Sequence, residues 1–202
     1  MSMDAKTQKS ELTRAAIVGA GIDLASAEGL EAITLQAVAD RIGLSKSGVF
    51  SRIGSREALQ KAVIEEFGRR FLADVFVPAM ASPKGLPRLD EIMNRWIVRT
   101  RDVDARNGCI FSAGAFELDD RAGPLRDLLL SEVTRWRAAL RRTVQLAIDA
   151  GHLKPDTDPE QLASEACALV LGLIHDTRFL RDPRAPERAQ STWRRLLETY
   201  TP

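Results

Sequence analysis

The sequence predicts an all-α protein of about nine helices, from two observations. Apolar residues recur three and four positions apart along almost every segment, which is the period of a helix that is buried on one face. Runs that alternate between apolar and polar residues, which would predict strands, are nearly missing. We therefore expect helices packed on helices, with Gly and Pro marking where each one stops.

The first four helices follow from their capping residues. The first is expected over residues 10–28, where Gly29 stops it. Thr34 is a suitable N-cap for the second helix, and Ser45 is one for a short third helix over residues 46–52. Ser55 caps the fourth, whose first turn is acidic and suits the helix dipole.

Three prolines and a glycine interrupt the chain between residues 77 and 87 and predict a domain boundary. We expect an N-terminal domain over residues 1–55, with a linking helix to about residue 76, and a C-terminal domain over residues 77–202. Further helices are predicted over residues 86–104, 110–118, 124–150, 158–181 and 187–200.

The second and third helices are spaced as a helix-turn-helix. Ala39 is small enough to let two helices cross closely, and Gly43 allows the positive φ that the turn needs. Val49 returns an apolar side chain from the third helix to the shared core. The opposite face of that helix is then free to meet DNA.

The third helix has the composition of a nucleic-acid contact. Its start favours an anion, Lys46 and Arg52 add charge, and Phe50 offers an apolar contact such as that with a thymine methyl group. Gly48 lets a phosphate or base edge approach the backbone. The candidate DNA contacts are Thr34, Gln36, Ser45, Lys46, Ser47, Gly48, Phe50, Ser51, Arg52 and Lys61.

The charge around this element is positive although the whole chain is nearly neutral, at +1. Between Asp40 and Lys61, five basic residues face two acidic ones, a local net of +3. The alternative interpretation is an ordinary solvated face, which any one of these side chains fits.

The first 70 or so residues resemble the DNA-binding domain of the TetR family of transcriptional regulators. The resemblance lies in residues 27–29, in the stretch from Ile33 to Ala39, and in residues 43–47, 49–50 and 55–59. The family usually has a tyrosine where this chain has Phe50, and a histidine–phenylalanine pair where it has Arg52 and Ile53.

The resemblance implies a homodimer that binds a palindromic DNA operator. It implies a repressor released by a small-molecule ligand, which the C-terminal helices bind. The first residues lack the apolar stretch of a signal peptide and no apolar run is long enough to span a bilayer, so we expect a cytoplasmic protein. The two cysteines do not form a zinc-site pattern, and we expect no cofactor and no metal site. The candidate ligand contacts, chosen as apolar walls and polar anchors, are Trp96, Arg99, Phe111, Phe116, Glu117 and Trp136. The candidate dimer seam, chosen as a wide apolar stripe, is Leu162, Ala166, Leu169, Val170, Leu173, Ile174, Trp193 and Leu197.

Two other function classes stay open at this point. A small helical enzyme would need a catalytic grouping, but the chain has only two histidines and two lone cysteines, without metal-ligand or triad spacing. A dimeric interaction module without specific DNA binding would show no sequence-dependent shift in a DNA-binding assay. Cys109 and Cys167 lie in apolar surroundings that are typical of buried free thiols.

Overall fold

The structure, a computed structural model, describes the backbone from residue 3 to residue 202 and side chains from residue 7. This described part contains no strand, and the all-α prediction is confirmed. None of its helices is long and apolar enough to cross a lipid bilayer. It has nine helices of eight or more residues: α1 (Met3–Glu28), α2 (Leu35–Ile42), α3 (Lys46–Ile53), α4 (Arg56–Ala79), α5 (Leu86–Arg99), α6 (Ile110–Glu117), α7 (Pro124–Asp149), α8 (Pro159–Arg178) and α9 (Ala185–Tyr200).

The helices form two compact units. The first unit holds the chain up to residue 69 together with residues 109–130, and the second holds residues 70–108 and 131–202. The units therefore divide inside α4, ahead of the proline-rich segment at which the sequence predicts the boundary. Pro78 lies in the last turn of α4, so the hydrogen bond that it removes falls at the end of the helix and few turns follow that it could disrupt; the helix ends at Ala79.

The crossing of α2 and α3 organises the first unit. Gly43 ends α2 in the left-handed conformation (φ 67°, ψ 30°), and the Leu44 N–H donates to the Ala39 carbonyl at 3.0 Å. Ala39 and Val49 are fully buried where the two helices meet. The caps of both helices are the expected ones: the Thr34 hydroxyl accepts from the Ala37 N–H, and the Ser45 hydroxyl closes the start of α3.

A short 3-10 turn (Leu30–Ala32) joins α1 to α2 and is held by a carboxylate from elsewhere in the first unit. Both Glu117 carboxylate oxygens accept backbone N–H groups, from Leu30 and from Glu31, each at 2.8 Å. Gly29 precedes the turn with φ 94°, and a Cβ there would lie 2.9 Å from a Glu117 oxygen. Glu117 was expected to be a ligand anchor; in the structure it caps this turn, because the free N–H groups of a helix start donate hydrogen bonds to anions.

Packing explains why α6 belongs to the first unit. The Phe111 ring lies edge-on to Phe67, with centroids 5.1 Å apart. A Cβ at Gly114 would lie 2.8 Å from a Leu30 methyl carbon, so a larger residue there would have to displace the Leu30 side chain from the turn. Phe116, on the same helix, is 73% exposed.

The second unit corrects the predicted dimer seam. Five of its eight residues are buried within the chain, at 0–3% exposure, namely Leu162, Ala166, Val170, Leu173 and Trp193. The stripe is core because α8 packs it against α5 and α9, and the Trp193 indole N–H donates to Asp90 at 2.9 Å. Leu169, Ile174 and Leu197 are half-buried. The exposed face of α8 is a different one, formed by Ala168, Leu171, Gly172 and His175.

We predict that Glu117→Gln loosens the turn between α1 and α2. The amide keeps the shape but has one accepting oxygen in place of two charged ones, so the free energy of unfolding falls by about 1–2 kcal/mol. Urea denaturation measures the loss, and hydrogen exchange locates it at the Leu30 and Glu31 amides. Asp120→Asn, which removes an exposed carboxylate nearby, is the matched control and leaves both amides protected; equal behaviour of the two variants contradicts the capping role.

Candidate functional site

The outer surface of α3 carries most of the predicted DNA contacts. Phe50 is 58% exposed, which is unusual for a large apolar side chain, while Val49 beside it is fully buried. Gly48 is half-buried. The exposed polar residues of this surface are Ser45, Lys46, Ser47, Ser51 and Arg52. We call this surface, including Phe50, the α3 face.

The start of α3 is fixed by a small network of hydroxyl groups. The Ser45 hydroxyl accepts from the Gly48 N–H at 3.1 Å and lies 3.1 Å from the Ser47 hydroxyl. A Cβ on Gly48 would lie 3.1 Å from the Ser45 oxygen, which is tighter than ordinary contact. Gly48 therefore makes room for the cap of its own helix, a reason for glycine that the sequence analysis did not find.

Arg52 and Ser51 turn back onto their own helix. The Arg52 guanidinium donates to the Gly48 carbonyl at 2.8 Å, and the Ser51 hydroxyl donates to the same oxygen at 3.0 Å. The Arg52 carbonyl in turn accepts from Arg14 of α1 at 3.2 Å. Since the guanidinium is exposed, these contacts orient it along α3 without burying its charge.

Several of the basic residues near α3 are paired with other groups of the first unit. Arg56 donates to the Ile33 carbonyl at 2.9 Å and holds the turn before α2, and Arg41 pairs with a carboxylate of α1. Lys61 pairs with a carboxylate one turn further along α4, 3.8 Å away. The Lys46 ammonium makes no hydrogen bond or ion pair with any described residue. Lys46 is thus a cation without a carboxylate partner among the described residues, at a helix start that already favours anions.

The polar side chains at the start of α2 already form hydrogen bonds within the protein. Thr34 is half-buried, and its hydroxyl is occupied as the cap at 3.0 Å from the Ala37 N–H. Gln36 is exposed, and its amide nitrogen donates to Asp40 at 2.7 Å. To contact another molecule through its amide nitrogen, Gln36 would have to give up this hydrogen bond and form a new one. The exchange costs little, because the side chain lies on a solvated surface.

A second group of predicted residues meets inside the second unit. The rings of Trp96 and Trp136 pack edge to face, with centroids 5.0 Å apart, and Phe71 packs on Trp136 at 4.8 Å. The Arg99 guanidinium carbon lies 5.5 Å from the centre of the Phe71 ring, within the range of a cation–π contact. Trp96, Arg99 and Trp136 are each less than a tenth exposed. We call this group, with Thr100 and Asp104 described next, the aromatic–carboxylate cluster.

A π-helical turn (Thr100–Asp104) completes the cluster. Arg99 forms a close hydrogen-bonded pair with Asp74 of α4, and its other terminal nitrogen lies 3.5 Å from the Asp104 carboxylate. In an α-helix, residues five apart point about 140° away from each other. The wider turn brings Arg99 and Asp104 together, and π-turns of this kind often lie at functional sites.

Burial governs the chemistry of Asp104. Its side chain is 1% exposed, and desolvation raises the pKa of the carboxyl to about 6, against the opposing influence of Arg99. Arg178 of α8 adds a hydrogen bond to the Asp104 backbone carbonyl at 3.1 Å. The fold therefore tolerates this group better as a neutral acid than as an anion.

The six predicted ligand contacts thus separate. Trp96, Arg99 and Trp136 meet in the cluster, whereas Phe111 and Glu117 are engaged within the first unit and Phe116 is exposed there. Phe71, Thr100 and Asp104, which also belong to the cluster, were not predicted from the sequence. The apolar spacing of α4 marks Phe71 as core, but nothing in the sequence signals a π-turn.

A family profile described as the tetracyclin repressor-like C-terminal domain matches residues 85–193. This match spans more than half of the chain, and the chain belongs to the TetR family of transcriptional regulators. A search among curated proteins finds no match.

Solved structures agree in fold. A TetR-family transcriptional regulator from Cytophaga hutchinsonii superposes with a TM-score of 0.82 at 20% identity, with 96% of each chain covered. A TetR regulator from Chloroflexus aurantiacus gives 0.79 at 23% identity, with 95% of each covered. A ketosteroid transcriptional regulator of Mycobacterium tuberculosis gives 0.70 at 16%, covering 94% of this chain and 95% of that one.

Family membership decides between the function classes that the sequence left open. Members of this family are transcriptional regulators that bind DNA, dimerise and respond to small molecules, and they are not enzymes. The protein is accordingly a DNA-binding transcriptional regulator.

We predict that Asp104→Asn removes a pH-dependent loss of stability. The folded-state pKa of Asp104, about 6, lies above the ordinary value of 3.8, so wild-type protein loses stability as pH rises through about 6 and keeps it below about 4. Between pH 4.5 and 7.5 the wild type should lose roughly 2 kcal/mol more than the variant.

Urea denaturation of both proteins at the two pH values measures this difference. Asp102→Asn is the matched control, since Asp102 lies on the same π-turn but is exposed, and pairing with Arg101 lowers its pKa. Superimposable pH profiles for wild type and Asp104→Asn contradict the assignment.

Proposed function

We propose that the protein is a homodimeric repressor that reads a palindromic DNA operator through the α3 face and leaves it when a small molecule binds. The observation that carries the DNA half is the start of α3. There, free helix amides, two hydroxyl groups and the unpaired Lys46 ammonium lie exposed on a helix whose opposite side is buried. Acting on DNA, the protein would work in the cytoplasm.

The polar part of the interface would hold phosphates. Lys46 and the α3 amides supply charge and donors to one phosphate, and Ser45 and Ser47 supply hydroxyls. Thr34 and Lys61 would flank this contact at the starts of α2 and α4. Since backbone contacts carry no sequence information, they set the register of the protein on the duplex.

Base edges would be read by the remaining part of the α3 face and by α2. Phe50 has the exposed apolar ring that suits a thymine methyl group, and Gly48 leaves space for a base edge or the DNA backbone beside it. Gln36, Ser51 and Arg52 offer hydrogen-bond donors, and Arg52 would exchange its contact with the Gly48 carbonyl for one with guanine or phosphate.

A dimer would double these contacts. Two recognition helices about 34 Å apart fit successive major grooves of one DNA face and require a palindrome. The buried stripe of α8 is core, so we place the seam on its exposed face, where Leu171 is 41% exposed beside Ala168 and Gly172. At the C-terminal end of α8, Phe179 is 77% exposed and continues this apolar surface.

The effector would bind in the C-terminal part of the chain, residues 77–202. Trp96, Arg99 and Trp136 are the candidates that lie together there. A ligand that prefers one spacing of the recognition helices shifts the population toward it, and a spacing that no longer matches the groove repeat releases the operator.

We predict that Lys46→Ala weakens DNA binding through the loss of one electrostatic contact with a phosphate. Duplexes selected from a random pool supply the operator, and fluorescence anisotropy measures affinity between about 50 and 300 mM salt, the range over which counterion release dominates. The slope of log affinity against log salt should flatten by about one unit for each Lys46 in the complex, equally for operator and random DNA.

Lys84→Ala is the matched control, because Lys84 is an exposed lysine of the second unit. It should leave slope and affinity unchanged. If Lys46→Ala combined with Arg52→Ala keeps full operator affinity, the α3 face is not the DNA-binding surface.

We predict that Leu171→Arg separates the dimer. An arginine in an apolar seam brings two like charges together without partners, and the dissociation constant should rise at least about tenfold. Sedimentation velocity measures the change. Leu130→Arg, at an exposed leucine of the first unit, should leave the dimer intact. If the Leu171→Arg variant remains a dimer of unchanged affinity, the dimer seam lies elsewhere.

A further inference from the structure

The aromatic–carboxylate cluster contains buried polar groups without hydrogen bonds. These are the indole nitrogens of Trp96 and Trp136, the Thr100 hydroxyl, and both carboxylate oxygens of Asp104. All four side chains are at least nine-tenths buried. Leaving such a group without a partner is costly, and native structures keep few of them. Their concentration in one cluster gives this part of the core several donors and acceptors that a polar ligand could use.

The carboxylate is the most demanding of these groups. Arg99 lies between two carboxylates and hydrogen-bonds Asp74, whose side chain is half exposed. The Asp104 carboxylate lies 3.5 Å from an Arg99 nitrogen without a well-formed hydrogen bond, and Thr100 and Arg178 favour its charged form less than Arg99 does. The fully buried anion is therefore the one with the poorer compensation, and it needs a donor that also carries positive charge.

The surrounding rings favour the same kind of partner. The faces of Phe71, Trp96 and Trp136 carry negative potential, and their edge-to-face contacts leave faces and edges turned in several directions. Aromatic faces attract organic cations as well as apolar groups, as the Arg99 contact with Phe71 already illustrates. An anionic ligand would meet both the ring faces and Asp104 unfavourably.

We propose that the aromatic–carboxylate cluster is the effector site and that the effector is a small organic amine. Its ammonium group donates to Asp104, and its apolar body packs among Phe71, Trp96 and Trp136. A hydroxyl or carbonyl on that body would accept from an indole N–H. This proposal rests on the proposed function, since it names the ligand class of that regulator.

The packing of the rings gives this site a means of control. Trp96 and Trp136 are 8% and 7% exposed, so a ligand reaches Asp104 only after the rings move apart. A ligand that requires this movement binds one conformation better than the other. Such differential binding is what a ligand needs in order to shift a conformational equilibrium.

The first experiment compares phenyl compounds that carry an amine, an alcohol or a carboxylate, together with one aliphatic amine. The full-length protein is titrated with 2-phenylethylamine, benzylamine and n-butylamine, and with 2-phenylethanol and 3-phenylpropionate. Thermal shift and tryptophan fluorescence report binding, because two of the three tryptophans lie in the cluster. At least one amine should bind, and should do so at least about tenfold more tightly than the alcohol or the carboxylate.

Variants then test the role of Asp104. Asp104→Asn should weaken amine binding at least about tenfold, whereas Asp102→Asn on the same π-turn should leave it unchanged. Wild-type affinity should fall about tenfold per pH unit below pH 6, as Asp104 takes up a proton, and the variant should lose this dependence. The other charged groups that face Asp104 are Arg99 on α5, Asp74 on α4 and Arg178 on α8. Asp74→Asn should keep the pH dependence.

Four results would overturn the proposal. They are no binding of any amine up to about 10 mM, equal binding of amine and alcohol, amine binding that Asp104→Asn leaves intact, and amine binding that does not weaken the operator complex. A high-resolution crystal structure with only water on Asp104 at saturating amine would also end it. Operator affinity is also measured without any probe. A protein that binds no operator contradicts the proposed function, whereas a protein that binds its operator but no amine contradicts only the amine site.

Discussion

The close crossing of α2 and α3 is the constraint on which the DNA-binding half of this protein depends. Ala39 and Val49 are fully buried at the crossing, and Gly43 turns the chain in a conformation that other residues adopt only with strain. A larger side chain at Ala39 would separate the helices, and a side chain at Gly43 would strain the turn. Because Val49 is held inside, Ser47 and Ser51 lie on the opposite, exposed side of this short helix, and Lys46 and Phe50 are exposed beside them. The orientation of the α3 face thus follows from what is buried behind it.

The first unit uses much of its charge to hold itself together. Arg56 and Glu117 bind the two sides of the turn between α1 and α2, one through carbonyl groups and the other through N–H groups. Formal charge counted along the sequence therefore overstates what DNA would meet. In the proposed interface the unpaired Lys46 would contribute more than the paired arginines, since a paired charge must first leave its partner.

The second unit carries the opposite arrangement, in which polar groups are buried with too few partners. A buried carboxylate beside two indole groups lowers stability, and an apolar residue at Asp104 would pack with less cost. Natural proteins keep such costs mainly where a site has a use for them. The π-turn strengthens this interpretation, because it is the feature that brings Asp104 beside Arg99 at all.

The sequence by itself determined the helices, their caps and the helix-turn-helix. These features depend on neighbours within four or five residues: Thr34 and Ser45 cap the helices that they precede, and Gly43 makes the turn that it occupies. Trp96, Arg99 and Trp136, which the sequence predicts as ligand contacts, pack in one cluster, whereas Phe111, Phe116 and Glu117 belong to the other unit. Tertiary structure alone decided the rest. Glu117 binds a turn 86 residues earlier in the chain, the α8 stripe became core once α5 and α9 covered it, and Asp104 reached Arg99 through a turn wider than an α-helix. Local spacing encodes which face of a helix is apolar, but which surface covers that face is settled only when distant segments compete for it.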